Sequence, residues 1–180
     1  SFSHSVSSLM ISKIQGNIVD MLYAPLSAFE VSMAIIFAAI TRSFLIAIIS
    51  VAVFSIIVEM PINKFFYILV FSFLGSFILG SLGFITGLWA EKFDHTATIT
   101  NFVISPLSFL SGAFYSIEKL PQFFQTISHI NPFFYMIDGF RYGFLGVSDG
   151  SLKFGIFYLI ILSFLTWFVS YVLFKKGYKI

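Results

Sequence analysis

Asp138 and Arg141 lie three residues apart, a spacing that lets opposite charges meet across one turn of a helix. Such a pair either neutralises itself and fixes local structure, or presents charge to a bound molecule. A second pattern is polar and uncharged: Thr98, Asn101, Ser105, Ser108 and Gly112 advance by three, four, three and four, so they share one helical face. That face suits hydrogen bonds to neighbouring helices, or the wall of a path for a polar molecule. His4, His95 and His129 are too dispersed for a metal site, and with no cysteine there is neither a thiolate ligand nor a thiol nucleophile. No G-x-S-x-G elbow and no G-x-x-x-x-G-K-[ST] phosphate loop occurs, so the expected polypeptide is no enzyme and hydrolyses no ATP.

The elements that must carry these residues are set by composition. Of 180 residues 58% are hydrophobic and 10% charged, far below the charge a soluble surface needs, so lipid must be the solvent. The net charge of +2 makes no patch for nucleic acid. Apolar runs predict four transmembrane helices at 31–58, 65–90, 96–115 and 154–174. On the second, Ser72, Ser76 and Gly80, then Gly83 and Gly87, repeat every four residues and form a packing spine. Arg42 lies roughly 24 Å along the helix from Val58, near enough to a membrane face for its guanidinium to snorkel. Pro106 bends the third span, where serines satisfy freed backbone groups.

Residues 1–8 are too polar to cross and are expected to form a loop or the end of something upstream. Over 9–23 the spacing of Ile11, Ile14, Ile18, Met21 and Leu22 predicts one amphipathic helix, interrupted at Pro25. Residues 116–152 are too apolar for an ordinary loop. Phe124, Ile127 and Ile130 share a face of one short helix beginning at Pro121, and Asn131-Pro132 caps a second helix running to about Leu145. Together they predict a re-entrant helical hairpin. Three lysines after the last span place the C-terminus in the cytoplasm, and counting back puts 1–30 inside and 116–152 outside.

With these pieces assembled, the chain resembles the type-2 permeases of ABC exporters, in a bacterial inner-membrane branch. The residues that carry the resemblance are Gly16-Asn17-Ile18-Val19-Asp20-Met21-Leu22-Tyr23-Ala24-Pro25 and Gly87-Leu88-Trp89-Ala90-Glu91-Lys92-Phe93-Asp94. Further along come Phe109-Leu110-Ser111-Gly112-Ala113-Phe114-Tyr115-Ser116 and Asn131-Pro132-Phe133-Phe134-Tyr135-Met136-Ile137-Asp138-Gly139-Phe140-Arg141. The resemblance implies a six-span permease of which this is the C-terminal four-span portion, forming a single transmembrane domain over 1–180. It implies a homodimer, and an ABC ATPase subunit that carries the ATP and magnesium, so that this chain needs no cofactor and no metal.

It further implies that the amphipathic segment is a cytoplasmic coupling helix, with Lys13, Gly16, Asp20, Leu22 and Pro25 as its ATPase-coupling residues. Thr98, Asn101, Ser105, Ser108 and Gly112 become the translocation path. Tyr115, Pro121, Asn131, Pro132, Tyr135, Asp138 and Arg141 become an external gate. Gln15 and Val19 stand where relatives often carry charge. The expected cargo is amphipathic, glycan-like or lipid-like. A secondary transporter or channel is the alternative reading, disfavoured by the lack of ionisable residues near the midplane; a non-transporting membrane scaffold is another.

Overall fold

A computed structural model describes residues 1–58, 61–113 and 121–178, with the backbone alone at Met21 and Leu22. Among the described residues there are helices and no strand: α1 (Phe2–Ile14), α2 (Ile18–Tyr23), α3 (Ala28–Ile57), α4 (Phe65–Trp89) and α5 (Phe93–Ile99), which runs on through a π segment (Thr100–Ile104) into α6 (Ser105–Phe109). After these come α7 (Gln122–Ile130), α8 (Pro132–Leu145) and α9 (Leu152–Lys175). Three of them, α3, α4 and α9, are long and apolar enough to cross a membrane. The third expected span, 96–115, is instead a shorter continuous helix over 93–109. The chain divides into two compact units, Ser1–Leu45 with Ser76–Ile99 and Leu162–Ile180, and Ile46–Gly75 with Thr100–Ile161.

In the first unit the expected loop at 1–8 is helix. Serine is small as well as polar, and α1 uses it to approach α4 closely: Ser5 and Val6 are buried, and a Cβ on Gly83 would meet the Phe2 carbonyl oxygen. A Cβ on Gly87 would come within 3.0 Å of Leu9 Cβ, and one on Gly80 within 3.7 Å of Ala39 Cβ in α3. The expected spine is therefore where backbones meet. Leu9, Val31, Ile35, Phe84, Leu88 and Phe174 make the core. Ser170 Oγ of α9 donates to Ser81 O at 3.1 Å. The start of α3 is a reciprocal cap: Ser27 N–H donates to Glu30 Oε2 at 2.7 Å, and Glu30 N–H to Ser27 Oγ at 3.3 Å.

The single helix expected over 9–23 is broken into α1 and α2. Gly16 takes a φ of +77°, a left-handed torsion that ends α1 after its Gln15 cap. The break also rotates the expected apolar face, so Ile11 and Ile14 are exposed while Ile18 is buried.

In the second unit α8 packs on the first half of α4. Cβ atoms on Gly139 and Gly143 would run into the Phe71 ring and Ile68, so these helices touch through glycine. Asn63 and Lys64 N–H donate to Gly143 O at 3.1 and 2.9 Å, and Asn63 Nδ2 donates to Phe144 O at 2.7 Å. Along α9, Gly155 lies under Tyr135, and Tyr158 OH donates to Ile130 O at 2.8 Å. The apolar face expected on α7 is turned out, with Phe124 and Ile130 exposed; the helix buries Ser128 instead, whose Oγ donates to Leu110 O at 2.9 Å. No residue of α3 beyond 45 is buried among those described.

Candidate functional site

The segment from Lys13 to Pro25 is built around the break at Gly16. Lys13, in the last turn of α1, donates from its ammonium to Leu88 O at 2.5 Å. Leu88 belongs to the final turn of α4, where carbonyls lack helical partners and carry the negative end of the helix dipole, so the lysine caps α4 electrostatically. After Gly16 come the six residues of α2, with Asp20 exposed in the first turn. The helix ends at Ala24, which is extended, and Pro25 follows, also exposed. Tyr23 is 85% exposed and Val19 stands out beside it. The side chain of Leu22 lies outside the described residues. The result is a short helix flanked by Gly16 and Pro25, with one lysine of the preceding helix tied to α4.

Of the five residues of the polar face, Thr98 and Asn101 are exposed, Ser105 and Ser108 partly buried and Gly112 buried. Each hydroxyl is engaged by its own helix. Thr98 Oγ1 donates to Asp94 O at 2.9 Å, Ser105 Oγ to Thr100 O at 3.0 Å and Ser108 Oγ to Ile104 O at 2.8 Å. Pro106 has no N–H and its ring crowds the carbonyl four residues back, which is where the helix widens into the π segment. The wider turn means that Asn101 and Ser105 are not one α-turn apart, and the even three-four progression assumed from the sequence fails between them.

The cluster around α8 is more tightly built. Asn131 Oδ1 accepts from Phe133 N–H at 3.0 Å, the expected cap of α8, with Pro132 in the first turn. Its amide also donates to Leu107 O at 2.6 Å. Tyr135 OH donates to His129 O at 2.9 Å, and burial raises its pKa. Pro121 caps α7 in an extended conformation; Tyr115 lies outside the described residues. Asp138 and Arg141 pair at 2.7 Å, with Asp138 only 3% exposed.

The spacing of Asp138 and Arg141 does not disclose what else converges there. Asp138 Oδ1 accepts from Asp149 N–H at 2.8 Å, and Oδ2 accepts from Ser148 Oγ at 2.9 Å and Gly150 N–H at 3.1 Å. Arg141 also pairs with Asp149 at 2.6 Å. Burial acts to lower the Arg141 pKa, but its hydrogen bonds to the two carboxylates outweigh that and the net shift is upward. The carboxylate thus organises the whole 146–151 turn, which Gly146 opens at φ +74°. The only sequence signal was the turn-forming run Ser148-Asp149-Gly150. No group of three or more metal-ligating side chains occurs among the described residues.

Apolar helices make up most of the described residues, and three of them are long enough to cross a membrane, which defines a multi-pass membrane protein. Residues 1–145 match the ABC-2 type transporter family, and the chain belongs to that family. It is 31% identical over 178 residues to the inner membrane transport permease YadH of Escherichia coli strain K12, covering 98% of this chain and 69% of the relative. Over 103 residues it is 29% identical to nodulation protein J of Sinorhizobium fredii, covering 57% of this chain and 39% of that protein. Nodulation protein J of Neorhizobium galegae is 33% identical over 98 residues, 53% of this chain and 37% of the relative. No solved structure matches the chain.

Proposed function

We propose that the chain is the membrane-spanning permease part of an ATP-driven exporter of the bacterial inner membrane. A separate ABC ATPase supplies hydrolysis, and two permease copies form the conduit. The reading takes four membrane crossings, with 93–109 as the third, a cytoplasmic C-terminus and an external hairpin formed by α7 and α8. The uncovered apolar stretch of α3 beyond residue 45 suits lipid or a second copy. The cargo class that fits the weakly polar face of the third crossing is amphipathic, a glycan or lipid-like molecule.

One observation supports it most: α2 lies between Gly16 and Pro25, anchored by buried Ile18, and presents Val19 and Tyr23 outward, while Lys13 ties the preceding helix to α4. A push on α2 is then passed through α1 to α4 along the Leu9–Gly87 contact and the lysine cap. ATP drives transport only if the ATPase grips the two permease states with different affinity.

The test is the complex of full-length permease with its ATPase in proteoliposomes. Tyr23→Asp with Val19→Asp should abolish co-purification of the ATPase from a monodisperse permease. Lys13→Met should leave the ATPase bound and hydrolysing but lower transport per ATP, with Lys13→Arg restoring it. Undiminished co-purification and transport in the Asp variant would remove the coupling reading.

A further inference from the structure

Arg42 and Arg141 are held in opposite ways. Arg141 is neutralised by two carboxylates. Arg42, the lone charge within the apolar length of α3 after Glu30, has no carboxylate in reach among the described residues. Its partner is a histidine: Nη1 lies 3.0 Å from His4 Nδ1 on α1. A guanidinium can only donate, so Nδ1 accepts, and the imidazole is neutral with its proton on Nε2. His4 therefore orients the guanidinium without cancelling its charge. The Nε–Nη2 edge, the fork that matches two oxygens of an anion, has no partner among the described residues.

Depth fits this chemistry. Arg42 is about 22 Å of helix from Ile57 and about 18 Å from Glu30. A hydrocarbon layer of about 30 Å counted back from Ile57 ends near residue 37, which leaves Arg42 about 8 Å inside the boundary, within snorkelling reach of the headgroup level. Arg42 is exposed and Thr41 and Leu45 beside it are exposed as well, so the edge is open to a ligand arriving along the membrane. An intramembrane guanidinium that the protein orients but does not neutralise takes its counter-charge from elsewhere.

We propose that Arg42, oriented by His4, is a binding site for the phosphate group of an anionic amphiphile at the headgroup level of the bilayer. Two sources share that chemistry, a resident phospholipid and a phosphorylated amphiphile on its way across. The test uses the full-length permease–ATPase complex in phosphatidylcholine nanodiscs, titrated with dioleoyl phosphatidylglycerol in one arm and farnesyl phosphate in the other, with bound probe counted by native mass spectrometry.

Arg42→Gln should weaken binding about tenfold, the scale of a lost charge-assisted hydrogen bond. His4→Ala should weaken it by a smaller factor. Binding of phosphatidylglycerol alone assigns the site to bilayer lipid; binding of farnesyl phosphate with faster ATP hydrolysis assigns it to cargo. An Arg42→Gln complex that binds both probes with wild-type affinity overturns the proposal. Should that variant fail to assemble, Arg42→Lys decides: it keeps charge but not the fork, a severalfold loss is expected, and wild-type affinity overturns the proposal. The readout is independent of coupling, because a site that binds phosphate in a complex that transports nothing refutes the exporter reading alone.

Discussion

Replacing Asp138 by alanine should be among the most damaging single changes in the chain, because four donors converge on one buried carboxylate. Two of them are the backbone N–H groups of Asp149 and Gly150, one is the Ser148 hydroxyl and one is the Arg141 guanidinium. Arg141 keeps Asp149 when Asp138 is lost, so part of its charge stays paired. The two N–H groups have no such substitute and must find water or remain unsatisfied, and truncating one member of a desolvated pair costs about 3–5 kcal/mol.

The remaining pair lowers the expected cost to about 3 kcal/mol, and a thermal or denaturant midpoint of the purified permease would measure it. The decisive quantity is the coupling in a double-mutant cycle of Asp138→Ala and Arg141→Ala. Groups in one network should depart from additivity by about 0.5–3 kcal/mol. Additive losses would mean that the carboxylate holds only the turn and that the ion pair is idle.

Two other expectations follow from close approach and capping. Gly139→Ala should cost about 1–3 kcal/mol, since its Cβ would enter the Phe71 ring, whereas Gly155→Ala, whose Cβ would stop 3.0 Å from Tyr135, should cost less; thermal midpoints of the two variants give the order. Asn131→Ala removes both the cap of α8 and the donor to Leu107 O, and should lose at least about 1 kcal/mol in the same assay, with Asn131→Asp keeping the cap but not the second bond.

Much of this architecture could be read from residue order because its signals are local. The long apolar runs, the Asn131-Pro132 start of α8 and its end near Leu145, and the small-residue spine of α4 each act within a few residues. What stayed hidden depends on contacts across the chain. Serines made residues 1–8 look like loop, yet Ser5 is small enough to pack against Gly83 inside a helix. The outward turn of Phe124 and Ile130 on α7 depends on Ser128 finding Leu110 O, a bond that no periodicity discloses. Pro106 announced a disturbance in the third predicted span, but not that it would widen the helix and spoil the register of the polar face. Asp149 looked like an ordinary turn residue until folding brought it to Arg141.

Gly16 shows how little material the chain spends on aiming α2. Nothing lies within 4 Å of where its Cβ would be, so bulk is no obstacle there; the left-handed torsion alone reserves the position for glycine. A mirror-image alanine would fit that bend while the natural one would resist it, although both occupy the same volume. The direction in which α2 departs from α1 is thus set by handedness at one atom.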